Sequence, residues 1–176
     1  CLRQGLPYNM GSKAETFCVE DLKDGPVVKV LELFREYKVP VIFETKSHYI
    51  GMDRYLDIIK ELHCAVIVAI MGGSDTLNYK LEPGAPPASH RWNLVRELNR
   101  VGVWCGVRWE PIMWGINSKD EFLEGYAKTA KHHGAKHVSL YNYRTSNYKI
   151  AQKEFEKRGY NYGKMLEGNL DENWKP

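Results

Sequence analysis

The sequence predicts an α/β protein built from repeated βα units. Three observations carry that reading. Short apolar, β-branched runs recur along the chain, and amphipathic segments at helical spacing separate them. The loops richest in glycine, proline and polar residues come directly after the strand-like runs. Such alternation implies parallel strands joined by right-handed crossovers, with the residue-rich loops gathered at the carboxyl edge of the sheet.

Pro7 to Met10 reads as a short strand, with a loop from Gly11 to Phe17. Leu22 to Lys38 reads as one helix, with Val27, Val30, Leu31 and Phe34 opposite Lys29, Glu32 and Arg35. Val39 to Phe43 is a buried parallel strand closed by Thr45-Lys46-Ser47. Met52 to Leu62 is a helix with Tyr55, Leu56 and Ile59 on one face and Asp53 near its positive end. Ala65 to Met71 is an almost purely apolar strand ended by Gly72-Gly73-Ser74-Asp75.

Leu81 to Arg91 then holds Pro83, Gly84, Pro86 and Pro87 and is expected to be irregular. A helix begins near Ser89, carries Leu94, Val95, Leu98 and Val101, and stops at Gly102. Val103 to Trp109 is a strand, with Pro111 to Asn117 as its loop. Ser118 and Glu121 suggest a capping box for a helix bearing Phe122, Leu123, Tyr126 and Ala130, ended by Gly134. Lys136 to Leu140 is the last clear strand and Ile150 to Arg158 a final helix; the tail 159–176 reads as irregular.

A chain of 176 residues, 43% hydrophobic and 27% charged, fits one soluble domain spanning 1–176. About five βα units fall short of the eight of a closed barrel, so the sheet is open or incomplete. A net charge of +3 permits an anionic partner without arguing for one. No apolar run approaches the roughly 20 residues of a membrane span. Cys1, Cys18, Cys64 and Cys105 form no C-x-x-C pair, which fits a reducing, cytoplasmic setting.

Lys46, just past a buried strand, can hold a carboxylate or phosphate as a point charge, or form a Schiff base if desolvated. Thr45 and Ser47 can instead cap the helix after this strand. Glu82 and Arg91 either clamp a polar ligand or brace their loop by pairing. Arg108 and Glu110, read as facing opposite sides of their strand, would put at most one charge in a site. His132, His133 and His137 straddle a helix-ending glycine away from the rich loops and read as solvent-exposed, and Trp104, Trp109 and Trp114 as core or rim packing. Tyr141 to Lys149 mixes aromatic and basic residues, as a nucleic-acid surface would.

Four stretches together resemble the spore-photoproduct-lyase-like (DNA repair photolyase-like) branch of the radical SAM enzymes. They are Gly5-Leu6-Pro7 with Gly11 to Phe17, then Phe43-Glu44-Thr45-Lys46-Ser47, then Leu81 to Arg91, then Gly102 through Pro111-Ile112. The resemblance covers roughly residues 5 to 140 and implies a partial (βα)6 TIM-type barrel, of which this chain would be the C-terminal two-thirds or so. It implies S-adenosylmethionine and a [4Fe-4S] cluster as cofactors, with reductive cleavage to a 5′-deoxyadenosyl radical. It also implies an electron donor such as a flavodoxin or ferredoxin, and a substrate that could be a nucleic acid. Lys46 would take the methionine carboxylate, with Ser47, Glu15 and Pro111 also at the S-adenosylmethionine site and Glu82 and Arg91 in a loop near it.

The family's C-x3-C-x2-C motif is absent, so the cluster cysteines are expected upstream and the fragment alone should be inactive. Ala14-Glu15-Thr16 stands where relatives often carry S/T-D-P, and Ala69 and Met71 where they offer a serine or asparagine. Near Ser12, spore photoproduct lyases proper carry a hydrogen-donor cysteine. Two rivals remain: an aldolase-like or decarboxylase-like barrel with Lys46 as Schiff-base lysine, and a non-catalytic nucleic-acid-binding module.

Overall fold

Five parallel strands lie side by side in the order in which the chain makes them. They are β1 (Tyr8–Met10), β2 (Val41–Thr45), β3 (Cys64–Ala69), β4 (Trp104–Ile112) and β5 (Val138–Asn142). Between them run α1 (Asp21–Asp24), α2 (Val27–Glu36), α3 (Asp53–Ile59), α4 (Asp75–Leu81), α5 (Ala88–Arg100) and α6 (Asp120–His132), and α7 (Tyr148–Lys157) comes after β5. The computed structural model describes residues 5–71, 75–113, 116–143 and 148–163. Trp114, Gly72 to Ser74, residues 144–147 of the aromatic-basic stretch and the tail beyond Gly163 lie outside them.

Sequential order with crossovers of one hand puts the helices on one face of the sheet. Burial alternates accordingly. Val41, Phe43, Val66, Val68, Cys105, Val107 and Trp109 are buried in the main core with Leu31, Tyr55, Ile59, Val95 and Leu98 from the helices. The residues between them, including Glu44, Ile67, Ala69 and Arg108, are only partly buried. A parallel sheet normally covers both faces with helices; here the second face is left to carry charge.

The sequence places the elements well and their ends less well. The expected helix from Leu22 is broken at Gly25-Pro26 into α1 and α2. There Asp21 Oδ1 accepts the Val27 N–H (3.0 Å), and a Cβ on Gly25 would lie 1.6 Å from that same oxygen. Strands β2 and β5 begin two residues later than expected, and β4 runs on through Pro111 to Ile112 across an irregularity in its pairing with β5. Helix α6 starts at Asp120 behind Lys119, which makes no side-chain cap bond, so the expected cap at Ser118 sits one residue too early. Gly102 and Gly134 do end their helices, with φ of 84° and 80°. Within the stretch read as irregular, only the segment after Leu81 and before Ala88 is so, because α4 precedes it. No helix among the described residues is long and apolar enough to cross a membrane.

Candidate functional site

At the carboxyl edge of the sheet the loops after β1 and β2 and the ends of β3, β4 and β5 enclose a cleft of about 650 Å³. Its floor is the open face of the sheet, through Glu44, Ile67, Ala69 and Arg108; its rim includes Lys13, Glu15, Lys46, Glu110, Pro111 and Tyr141. The loop after β1 can approach β2 because residue 11 is glycine. Gly11 has φ of 99°, and a Cβ there would lie 2.0 Å from the Glu44 carbonyl oxygen.

Glu15 organises the Thr45-Lys46-Ser47 turn. Its Oε1 accepts from the Thr45 hydroxyl (2.6 Å) and the Phe17 N–H (3.1 Å). Its Oε2 accepts the N–H groups of Lys46 (2.8 Å) and Ser47 (3.2 Å). Both oxygens are engaged by the protein's own donors. Ser47 is buried, and its hydroxyl accepts the Tyr49 N–H (3.1 Å), starting the short 3-10 turn before α3. His48, next in the chain, lies against His90 at 5.5 Å between ring centroids; burial first and the His90 charge second pull its pKa below the ordinary value.

The Lys46 ammonium meets Glu82, whose other oxygen accepts from Arg91 Nη2 at 3.0 Å. Arg91 is fully buried, and its guanidinium also donates to the Ala69 carbonyl (2.7 Å) and to Asn78 Oδ1 (2.6 Å). Of the two readings open for Glu82 and Arg91, the bracing pair is the one present, extended to Lys46 as a third member. The Lys46 side chain is 44% exposed, so it is not in the desolvated setting a Schiff-base lysine needs. Lys46 and Glu15 also border a second groove of about 400 Å³ closed by Gly84 to Pro86.

A second charge system crosses the floor. Arg108 Nη1 donates to Glu44 Oε2 at 2.5 Å, Asn9 Nδ2 donates to Glu44 Oε1 at 2.9 Å, and Glu110 stands 3.6 Å from Arg108. The Arg108 guanidinium lies 4.8 Å from the centre of the Tyr141 ring. Burial alone would raise the Glu44 carboxyl, but the bonds from Arg108 and Asn9 outweigh it and hold the carboxyl below its usual range. For Arg108, burial opposes the charge and Glu44 more than restores it, leaving its pKa raised. The expectation that at most one of Arg108 and Glu110 faces a site fails on strand periodicity. Residues two apart share a face, and both line the cleft.

Glu15, Lys46 and Pro111 therefore meet at one cleft, while Ser47 sits behind it and Arg91 beneath it. The sequence reading passed over Glu44 and Asn78. A glutamate inside the apolar run of β2 is the signal that could have found Glu44, since a charge there needs a partner. Of the histidines, His132 and His137 are exposed, but His133 is half-buried against Trp92 at 5.5 Å, which corrects its expected exposure. Trp109 is core as expected, and Trp104 is 43% exposed beside His137. Burial pushes the thiols of Cys64 and Cys105 up to about 11 and about 12.

No protein-family model and no curated protein matches the chain. Solved structures do. Spore photoproduct lyase complexed with dinucleoside spore photoproduct superposes on 95% of this chain and 48% of its own, with TM-score 0.59 and 18% identity. A domain of pyruvate-formate lyase-activating enzyme from Bacteroides vulgatus covers 84% of this chain and 92% of its own, with TM-score 0.58 and 13% identity. Streptococcus suis SuiB bound to S-adenosylmethionine covers 74% and 32%, with TM-score 0.55 and 14% identity. These neighbours are radical SAM enzymes, and the likeness establishes their TIM-type βα fold for this chain. The chain spans about a third of the length of SuiB and just under half of spore photoproduct lyase.

Proposed function

We propose that this chain is part of a radical SAM core and that its cleft binds S-adenosylmethionine, with Lys46 receiving the methionine carboxylate. The observation that carries this reading is the Glu15 carboxylate, which holds the Lys46 and Ser47 N–H groups and so sets Lys46 at the rim of the cleft. A volume of about 650 Å³ suits a ligand of this size, within the ~300–1,000 Å³ common for small-molecule sites. A lysine is a compact point charge for a carboxylate. Although Glu82 engages it, Arg91 offsets Glu82, so the three groups keep one net positive charge for an incoming anion. Pro111 and Tyr141 supply walls on the far side of the cleft. Glu15 serves as a positioning residue, since its oxygens are already engaged.

The [4Fe-4S] cluster is a different matter. Among the described residues no three His, Cys, Asp or Glu side chains converge on a metal position. Cys64 and Cys105 resist ionisation, as the burial of both thiols shows. The described residues do not fit the cluster, and in this reading its ligands would come from chain outside them. Spore photoproduct lyase is bound to a dinucleoside spore photoproduct and SuiB to a precursor peptide in their structures, so either substrate class is compatible with the fold.

Calorimetric titration of S-adenosylmethionine into the intact protein tests the proposal. Lys46→Ala should weaken binding by roughly tenfold or more, the equivalent of losing about 1.4 kcal/mol or more of a charge-assisted contact. Unchanged affinity would remove Lys46 from the site.

A further inference from the structure

We propose that the cleft has a second anion position at the loop after β1, where Lys13 and the backbone N–H groups beside it receive a compact oxyanion, phosphoryl or carboxylate, carried by the co-substrate. The assignment rests on the reading above, in which the single carboxylate of S-adenosylmethionine goes to Lys46. It starts from the cations that line the cleft. Arg108 is held by Glu44 at 2.5 Å, with Glu110 at 3.6 Å, and Lys46 is met by Glu82. Lys13 lines the same cleft and is exposed, yet it makes no ion pair or hydrogen bond with any described residue. Among the described lining residues it is the cation left without a counter-charge.

Backbone donors accompany the lysine. The N–H groups of Ser12, Lys13 and Ala14 have no acceptor among the described residues, and all three residues line the cleft. Gly11 before them has φ of 99°, while none of the three has a positive φ. A left-handed residue followed by right-handed ones is an arrangement that turns successive N–H groups toward one anion. An ammonium and backbone N–H groups can only donate, so the occupant must be an acceptor. Glu15, next along, does not fill the position, because its oxygens already take four donors from Phe17 and the Thr45-Lys46-Ser47 turn. At the other end of the cleft the two carboxylates around Arg108 repel an anion, so charge complementarity directs the acidic group of the co-substrate to the β1 side. A lysine meets an oxyanion as a point charge and does not select its shape, which leaves phosphoryl and carboxylate groups to be told apart by measurement.

Inorganic phosphate and acetate are the probes, titrated at constant ionic strength into the intact protein after ¹³C-dimethylation of its lysines, which preserves their charge. Lys13→Arg and Lys46→Arg each remove one methyl resonance and so identify the two signals. Phosphate should move the Lys13 signal saturably, in roughly the millimolar range of so small a ligand, and equally well with S-adenosylmethionine present. The tighter of phosphate and acetate names the oxyanion. Lys13→Gln should weaken phosphate by about tenfold or more, read from the ³¹P line width, which does not depend on the lost resonance. S-adenosylmethionine should move the Lys46 signal instead; if it does not, while phosphate still moves Lys13, the proposed function fails and the oxyanion position stands. Absence of a saturable Lys13 shift, a shift no larger than that of the exposed Lys131, displacement of phosphate by S-adenosylmethionine, or unchanged phosphate affinity in Lys13→Gln would each overturn the proposal.

Discussion

Glu15 shows how much of the cleft depends on one side chain that need touch no ligand. Three of its four bonds join the loop after β1 to the end of β2 and the turn behind it, two segments thirty residues apart, and the fourth, from the Phe17 N–H, closes its own loop. Glu15→Gln keeps the size but replaces an acceptor with an N–H₂ donor, which must then face either the Lys46 and Ser47 N–H groups or the Phe17 N–H. At ~0.5–1.5 kcal/mol for each net hydrogen bond, and with this carboxylate exposed to solvent, the expected loss of stability is about 1–2 kcal/mol. Denaturant unfolding reads that loss, and the same variant should weaken S-adenosylmethionine binding through the displaced Lys46. A variant with wild-type stability and affinity would show that the turn holds itself. The position of Lys46 just past β2 is legible in the sequence, because it follows an apolar, β-branched run that reads as a buried strand. The engagement of Glu15 is not, because nothing local says that its acceptors are met from thirty residues away. Arg108 and Glu110 were open to correct placement by parity alone, and reading them on opposite faces hid the charged floor of the cleft.

The segment from α4 into α5 works as a unit, and its cohesion comes from Arg91. The guanidinium is buried under Asn78 of α4, the Ala69 carbonyl of β3 and Glu82 in the intervening loop. Asp75 adds a second tie, accepting the Ser89 N–H (2.9 Å) and hydroxyl (2.7 Å), bonds that hold its carboxyl below the usual range. Glu82→Ala would leave Arg91 buried without its carboxylate. Breaking a buried pair costs ~3–5 kcal/mol, and the low end, about 3 kcal/mol, is expected because Asn78 and Ala69 still hold the guanidinium. Double Glu82→Ala/Arg91→Met should recover part of that loss; no recovery in thermal unfolding would mean the pair is not the origin of the effect. At this scale the sequence reads the prolines and glycine of the loop correctly and misses α4 altogether. Residues 75–81 carry only Leu77 and Leu81 at helical spacing, with Asn78 buried among them, too little apolar pattern to declare a helix. The break at Gly25-Pro26 escaped because the strong apolar pattern from Val27 to Phe34 was extended back to Leu22 across the proline.

Across the whole molecule, stability should fall from the middle of the sheet to its sides. Strands β2, β3 and β4 pair on both sides, carry the fully buried Val41, Phe43, Val66, Val68, Cys105 and Val107, and pack under α2, α3 and α5. Among the described residues strand β1 contributes three residues of pairing, to β2 alone, and none of the three is fully buried. Strand β5 is largely exposed, with Leu140 at 53% and Tyr141 at 45%, and its pairing with β4 is interrupted between Trp109 and Ile112. Alternating helices and strands make this gradient partly legible beforehand, since five βα units are too few to close a barrel among themselves. Local opening tracks the density of buried contacts, so native-state hydrogen exchange should find amides of β2, β3 and β4 exchanging last and those of β1 and β5 well before global unfolding. The cleft spans both regimes: Glu44 and Ile67 sit on the stable floor, while the loop after β1 and the end of β5 form walls able to open. Exchange protection in β1 equal to that in β3 would contradict this, and would mean that the outer edge of β1 is covered by further chain.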